Sequence, residues 1–475
     1  MLQSEEKKMN QITIDEIVAA TGGTLLRNGT ETSVSAVKQD SRECRAGDLF
    51  VAIIGKNQDG HRYIPMALQQ GCRTILLSHT GEWLQLQEAE DVNLIQVADT
   101  TIALGQLAKY YLSTLDVKKI AVTGSVGKTS VRDMIYYVLS EKYQCGRNLR
   151  NFNNEIGLPL SIFQFDDTTE AVVLEMGMNH FGEIDYLADI VKPHIAVITN
   201  VGMAHIENLG SREGIFQAKM EVVKHLTGED PSDHEPGTLV YVCDDNMLTR
   251  ETTAGNYRQV EIGRDGRSDY IISLVDDFGL EGIQFTLEHA HQSRRIALPV
   301  PGYHNAGNSA LAIAVGSLLG VSIEQAVAGL AKTELTGRRL RIVKGAHLQI
   351  IDDTYNANPD SMKSALKVLS QSEKAHRKTA ILGDMYELGE ESSRQHFNVG
   401  VFARNLNIDQ VIAIGNNARQ IAEGAKGGTA EVAYFETKEK FFDAMKDWVV
   451  EDDIILVKAS RGMQMEKIVE KLVLF

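Results

Sequence analysis

KKIAVTGSVGKTS, Lys118 to Ser130, decides the fold. Its first half is a short apolar run, the pattern of a strand buried on both faces of a parallel sheet. Its second half is a glycine turn that leads into an amphipathic helix starting near Ser130. Gly124 and Gly127 let the backbone turn tightly and aim amides at phosphate oxygens, and the helix N-terminus adds a favourable dipole. In loops of this kind the lysine, here Lys128, reaches the terminal phosphates, and the next hydroxyl, here Thr129, ligates magnesium. The usual pattern separates its glycines by more residues than the two, Ser125 and Val126, found here. The alternative is a glycine turn with a chance Lys-Thr pair. The strand–loop–helix context favours a nucleotide site made of Gly124, Ser125, Gly127, Lys128, Thr129 and Ser130.

Outward from this unit, the apolar runs Ala171 to Gly177, His194 to Val201 and Thr238 to Asp245 follow, with helical patterns between the first three runs of the block. Alternation of this kind predicts a parallel sheet flanked by helices. A later block repeats it with Leu348 to Tyr355, Lys378 to Asp384, Gln410 to Asn416 and Asp453 to Ser460. The block before Lys118 mixes strand-like runs, Asp48 to Ile54 and Thr74 to Leu77, with a helix from Ile102 to Leu115. The expected fold class is therefore α/β in three domains, 1–116, 117–333 and 334–475. The 475 residues agree, being too many for one hydrophobic core.

The net charge of −16 gives a surface that repels nucleic-acid phosphates, so no nucleic-acid partner is expected. Anionic substrates would need locally concentrated positive charge. Cys44, Cys72, Cys145 and Cys243 form no CxxC pair, which argues against a disulfide framework or zinc ribbon and for a reducing compartment. The stretch MLQSEEKKMN is charged and has no apolar core, unlike a secretory signal. Ala310 to Val321 is shorter than a membrane span and reads as a buried helix. A soluble, cytoplasmic protein without membrane insertion, working as a monomer, is expected.

Glu175 ends a core strand, on the sheet edge where ligands of α/β proteins bind. Alone it is as readily a solvated strand-end glutamate. His205 follows another strand, and a lone loop histidine is more often structural. The coincidence of Thr129, Glu175 and His205 at successive strand ends favours one metal–phosphate site. Lys219, on an amphipathic helix, reads from its position as a lysine that snorkels to water. GYHNAGNSALA places Asn305 where a helix cap belongs and Asn308 one turn on. DDTYNANPDSM, Asp352 to Met362, stops a core strand in a polar cluster before Pro359 opens a helix. Turn chemistry explains part of it, but the density of polar groups favours a site. Ser41 and Arg42 are a weak signal for a diphosphate.

Together these pieces resemble the Mur ligase family, from DSR at Asp40 to KASRGM at Lys458. TGSVGKTS, EMGMNHFGEI, GYHNAGN and the GRR element, Gly337 to Arg339, are similar to elements shared across that family. DDTYNANPDSM and GDMYELGEES are similar to the branch that adds D-alanyl-D-alanine to UDP-N-acetylmuramoyl-tripeptide. The branch adding a diamino acid is expected to carry a DYAHTPD-like segment there instead. The resemblance implies an N-terminal UDP-sugar-binding domain, a central P-loop ATPase domain and a C-terminal Rossmann-like domain. It implies ATP as co-substrate and Mg2+ as cofactor, with the nucleotide tripeptide and the dipeptide as partners. Lys128 would bind phosphates, Thr129 and Glu175 would hold one magnesium, and His205 a second. Lys219 matches a lysine that is carbamylated in the family, which reverses its bland reading. Asn305, Asn308, Arg339, Asp353, Tyr355 and Asn358 would line the nucleotide site, and Ser41, Arg42, Asp59 and His61 would hold the UDP-sugar end. Rival readings are another ligase of the family, a folylpolyglutamate synthase-like enzyme, or a non-catalytic nucleotide-binding regulator.

Overall fold

The structure is a computed structural model that describes residues 9–85, 90–148, 151–228, 236–243, 246–372 and 377–475. Asp244 and Asp245, the end of one expected strand, and the first eight residues of the charged N-terminal stretch lie outside the described residues.

The strand expected at Lys118 forms as Lys118–Thr123 and lies inside a nine-stranded sheet. Alternate residues of its apolar run serve opposite faces, as the two-residue period of a strand requires. Ile120 and Val122 join Val173, Val197 and Val240 against the helices Lys128–Leu139 and Asn305–Leu318. Ala121 joins Leu174, Ala196 and Tyr241 against Thr100–Thr114 and Glu183–Val191. This two-sided burial is why the strand reads as a continuous apolar run.

Lys118–Thr123 pairs in parallel with Ala171–Glu175 on one side and Ile195–Ile198 on the other. Val122 sits opposite Glu175, and Thr123 opposite Ile198, so the three strands end level. The loops after Thr123, Glu175 and Ile198 therefore emerge side by side where the strand order reverses, the place at which open α/β sheets bind ligands. Four further strands, Arg258–Gly263, Tyr270–Asp277, Ile283–His289 and Gln292–Leu298, extend the sheet, the last two antiparallel. The sequence reading contains none of them. In Tyr270–Asp277 and Ile283–His289 buried residues alternate with less buried ones, and Gln292–Leu298 is mostly exposed, so none of these forms a continuous apolar run; Arg258–Gly263 ends in four buried residues, but Glu261 stands among them.

The C-terminal sheet runs, by position, Arg341–Lys344, Gln349–Asp353, Ile454–Lys458, Lys378–Gly383, Gln410–Ile414 and Glu431–Phe435, parallel except for the first pair. The last strand of the chain thus returns between the second and third. That return sets Asp353 beside Lys458 at the strand ends. The N-terminal sheet has five strands and includes Asp48–Val51 and Thr74–Leu77.

The three units are not equally joined. One apolar core runs from Val51, Leu76 and Ile95 of the N-terminal sheet through Leu104, Leu107 and Tyr111 to Leu158, Ile184 and Leu187 of the central unit. The helix Thr100–Thr114, capped by the Asp99 carboxylate on two backbone N–H groups, is common to both. The C-terminal sheet has its own two apolar clusters, one on each face. Among the described residues, no helix is long and apolar enough to cross a membrane.

Candidate active site

The turn after Thr123 is fixed by its neighbours on the next strand. Gly124 has φ +149, and a Cβ there would lie 1.9 Å from Thr199 Oγ1. Gly127, at φ +85, precedes the first turn of Lys128–Leu139. The Asn200 side chain accepts from Val126 N (3.0 Å) and donates to Val126 O (2.9 Å), and Thr199 Oγ1 donates to the same carbonyl (2.6 Å). Two donors thus share the Val126 carbonyl, and the residues that follow, Gly127 to Ser130, line a cleft. Only glycine fits the first turn position, because any side chain would occupy the place of Thr199.

Lys128 Nζ donates to Gly124 O at 2.7 Å, curling across its own loop. Burial lowers its pKa; Glu175 and Glu387 oppose the shift and Arg339 adds to it. Thr129 Oγ1 donates to Glu175 Oε2 at 2.7 Å, and Asn153 Nδ2 to Glu175 Oε1 at 2.8 Å. Asn148 clamps the Glu175 backbone, accepting from its N–H (2.6 Å) and donating to its C=O (3.1 Å). Glu175 is thus a buried carboxylate held from three sides beside a hydroxyl. Two hard oxygen donors side by side suit a magnesium-sized cation.

These groups open into a cleft of about 500 Å³ between the central and C-terminal units, with Lys56 contributed by the N-terminal one. From the C-terminal side come Arg339, Asp353, Tyr355 and Asn358. Gly337, at φ +82, turns the connecting segment so that the Arg339 guanidinium stacks 3.8 Å from the Tyr355 ring centroid. Arg338 points elsewhere, toward Glu470 (3.5 Å). Asp353 pairs with Lys458 at 2.7 Å, both buried. Asn358 caps Pro359–Gln371, its side chain accepting from Ser361 N at 2.9 Å.

Asn305 is not a cap. The helix begins at Asn305 itself with His304 before it, and the Asn305 amide donates back to Pro301 O (2.7 Å). Asn308 Nδ2 donates to Asn305 Oδ1 (2.7 Å), and its amide lies against Gly127. His304 lines the cleft, and burial holds its pKa down at about 4, against the pull of Asp353.

His205 has a left-handed backbone, φ +65, and its Nδ1 lies 2.8 Å from Glu387 Oε2 of the C-terminal unit. Lys219 does not snorkel. It is 1% exposed and lies in the last turn of the helix Arg212–Met220. Burial, then the charge of Lys128, lowers its pKa well below the ordinary lysine value.

Ser41, Arg42, Asp59 and His61 are on the N-terminal unit and do not line this cleft. They sit on two short turns that pack against the helix Ile64–Gln69, each turn capped by its aspartate: Asp40 accepts from Arg42 N, and Asp59 from His61 N, both at 3.0 Å. Arg42 is exposed at its tip and holds the Asp40 carboxyl down at about 2. Both His61 ring nitrogens are engaged, Nδ1 with Asp59 Oδ1 (2.6 Å) and Nε2 accepting from Ser78 N (2.9 Å). His61 therefore shapes the turn from within the fold.

Sequence reasoning missed Asn148, Asn153, Thr199, Asn200, Lys56 and Lys458. The doublet Thr199–Asn200 at a strand end was the one available signal, lying in the same position on its strand as the phosphate loop on its own.

A strand-end phosphate loop, a buried carboxylate beside it and a second α/β unit closing the cleft define a nucleotide-dependent enzyme of two facing domains. The chain belongs to the Mur ligase family: residues 33–112 match the Mur ligase family, catalytic domain, residues 122–316 the Mur ligase middle domain, and residues 338–461 the Mur ligase, glutamate ligase domain. Within that family it is 37% identical over 465 residues to the UDP-N-acetylmuramoyl-tripeptide–D-alanyl-D-alanine ligase of Bacillus subtilis, covering 97% of this chain and 98% of that one. It is 31% identical over 473 residues to the ligase of the same name from Escherichia coli, with 98% and 99% covered. A crystal structure of MurF from Acinetobacter baumannii matches with a TM-score of 0.88 at 30% identity over 98% of this chain and 99% of that one. MurF ligase from Thermotoga maritima in complex with ADP matches with a TM-score of 0.79 at 28% identity, over 92% and 97%.

Proposed function

We propose that the chain is the ATP-dependent ligase that joins D-alanyl-D-alanine to UDP-N-acetylmuramoyl-tripeptide in peptidoglycan precursor synthesis, through an acyl phosphate. The observation that carries this is the meeting of the phosphate loop and Glu175 with Arg339 and Tyr355 in one interdomain cleft, in a chain whose relatives over nearly its full length bear that ligase name. Residues 1–116 take the UDP-sugar end, 117–333 bind ATP and 334–475 complete the site. ATP and nucleotide-linked sugars are cytoplasmic metabolites, and we place the enzyme there, as a monomer.

A free carboxylate is a poor acylating agent. The terminal carboxylate of the tripeptide attacks the γ-phosphorus of ATP, and ADP leaves. The amine of the dipeptide then attacks the acyl carbon, phosphate leaves with the C–O bond electrons, and an amide remains. The loop amides from Gly127 to Ser130 and the Lys128 ammonium receive phosphate oxygens. Asn305, Asn308, Asp353 and Asn358 frame the nucleotide, with Arg339 supplying charge from the other domain. Closure keeps water from the acyl phosphate. Thr129 and Glu175 would hold one magnesium ion; His205 and a carbamate on Lys219 would hold another. Bound there, the metals would neutralise anionic charge in a protein of net charge −16. A buried lysine amine whose charged form is disfavoured is the nucleophilic form that CO2 takes up. Carbon-13 bicarbonate should give a carbamate carbonyl signal that is absent from Lys219→Ala; no difference between the two proteins removes that ligand.

Ser41, Arg42, Asp59 and His61 hold the UDP end, with Arg42 the exposed cation and His61 the support of its turn. An acceptor panel tests the function. D-alanyl-D-alanine should outperform every single amino acid, with product mass equal to the two substrates less water. Preference for glutamate or a diamino acid would move the chain to another ligase of the family, or to the folylpolyglutamate synthase-like reading.

A further inference from the structure

Arg132 is fully buried, one turn beyond Thr129 on the loop helix. Its Nε and Nη2 donate to Asp133 Oδ1 (3.0 and 2.7 Å), its Nη1 lies 3.4 Å from Glu175 Oε2, and its Nη2 donates to Thr336 Oγ1 at 2.6 Å. Thr336 belongs to the segment that leads from the helix Ile323–Ala331 into the C-terminal sheet. It is tied twice more: its N–H and its hydroxyl both donate to Asp133 Oδ2 at 2.8 Å. Arg147 also donates to Asp133 (2.9 Å), so the cluster holds two cations against Asp133 and Glu175. On the far side of Thr336, its carbonyl accepts from Arg339 Nη1 (3.1 Å), and Arg339 lies on Tyr355. An unbroken line of polar contacts thus runs from Glu175 through Arg132 and Thr336 to the cleft face of the C-terminal domain.

A neutral apolar plug would fill this place at lower desolvation cost than two arginines and two carboxylates. The arrangement has a use if the two ends must respond to each other. We infer that Arg132 and Asp133 are positioning residues that couple the interdomain segment at Thr336 to the orientation of Glu175, so that domain closure and metal-nucleotide binding favour one another. Coupling of this kind is reciprocal: a change at the hinge alters affinity at the carboxylate by the same factor. The inference rests on the assignment of Glu175 as a magnesium ligand.

The test measures ADP affinity by calorimetry with saturating Mg2+ and with EDTA; the ratio is the metal enhancement. Glu175→Gln, which removes the proposed ligand charge, should reduce it to near one. Thr336→Val touches neither nucleotide nor Glu175 and keeps the N–H bond to Asp133. It should lower the enhancement roughly five-fold, leave metal-free ADP affinity unchanged, lower the melting temperature because the buried Arg132 and Asp133 each lose a hydrogen bond, and be restored in both respects by Thr336→Ser. Arg132→Lys keeps the charge without the fork and should lower the enhancement as Thr336→Val does, with a larger fall in melting temperature because a fully buried fork is lost. Wild-type enhancement in Thr336→Val, with enhancement lost in Glu175→Gln, overturns the coupling alone. Wild-type enhancement in Glu175→Gln overturns the metal assignment and the coupling with it.

Discussion

Lys128 holds the carbonyl of Gly124 in its own loop, so in the proposed reaction its ammonium exchanges that bond for one to a phosphate oxygen. Lys128→Ala should lower kcat by roughly 100- to 1,000-fold, the scale for removing a donor aimed at developing charge. The measurement is steady-state ADP release, and an effect on KM alone would contradict the role. His304 makes a different prediction. Its folded pKa of about 4 lies below the ordinary 6.5 because burial disfavours the cation. Between those values the unfolded chain takes up a proton that the folded chain does not. Stability should therefore fall as pH drops from 6.5 toward 4 and show no contribution from His304 above that window. In His304→Gln the difference in melting temperature between pH 7.5 and pH 5 should shrink; an unchanged difference would show that another group sets it. At this scale the sequence was legible where chemistry is written in the residue type, as at Lys128, Thr129 and Glu175. It was opaque where a partner is supplied by topology. Nothing near Asn153 in the chain indicates that it meets Glu175 at another strand end, and Lys219 read as a surface lysine because a helical pattern does not show what covers its last turn.

The strand–loop–helix element depends on one close approach. A methyl group on Gly124 would collide with Thr199 Oγ1, whose hydroxyl is itself committed to Val126 O. Gly124→Ala should cost about 1–3 kcal/mol in unfolding free energy and lose most ATP turnover. Denaturant titration and the ADP assay together check this, and wild-type stability would mean that the loop is free to move away. Gly127→Ala meets the Asn308 amide at 3.2 Å, a far milder contact than that at Gly124, so its cost should come mainly from its φ of +85. Elements buried on both faces, such as Ile120 to Val122 within Lys118–Thr123, were plain in the sequence because consecutive residues of such a stretch are apolar. Glu431–Phe435 and the strands from Tyr270 to Leu298 were not, because residues turned toward water dilute the apolar run, and in Arg258–Gly263 the buried Glu261 interrupts it.

At the scale of the whole molecule, the N-terminal and central units share one apolar core, while polar bridges reach across the cleft mouth to the C-terminal unit: His205 to Glu387, and Met203 N donating to Asp360 Oδ2 at 3.3 Å. The first pair should move as one body and the C-terminal unit should swing. Glu387 is half exposed, so its contact contributes at most about 1 kcal/mol. Glu387→Ala should leave the melting temperature almost unchanged yet raise the radius of gyration in solution scattering and slow turnover several-fold. An unchanged radius would mean that this bridge does not hold the cleft shut. The order of the units was legible from the alternation of apolar runs; their unequal joining was not, because a shared core consists of residues that look alike in each sequence segment.

In the proposed reaction ATP cleavage serves amide formation between two particular substrates. Steady-state ADP release, measured with ATP and Mg2+ while UDP-N-acetylmuramoyl-tripeptide and D-alanyl-D-alanine are supplied singly and together, tests it most directly. Sustained release only when both are present is the predicted result. Equal sustained release without the dipeptide would contradict it.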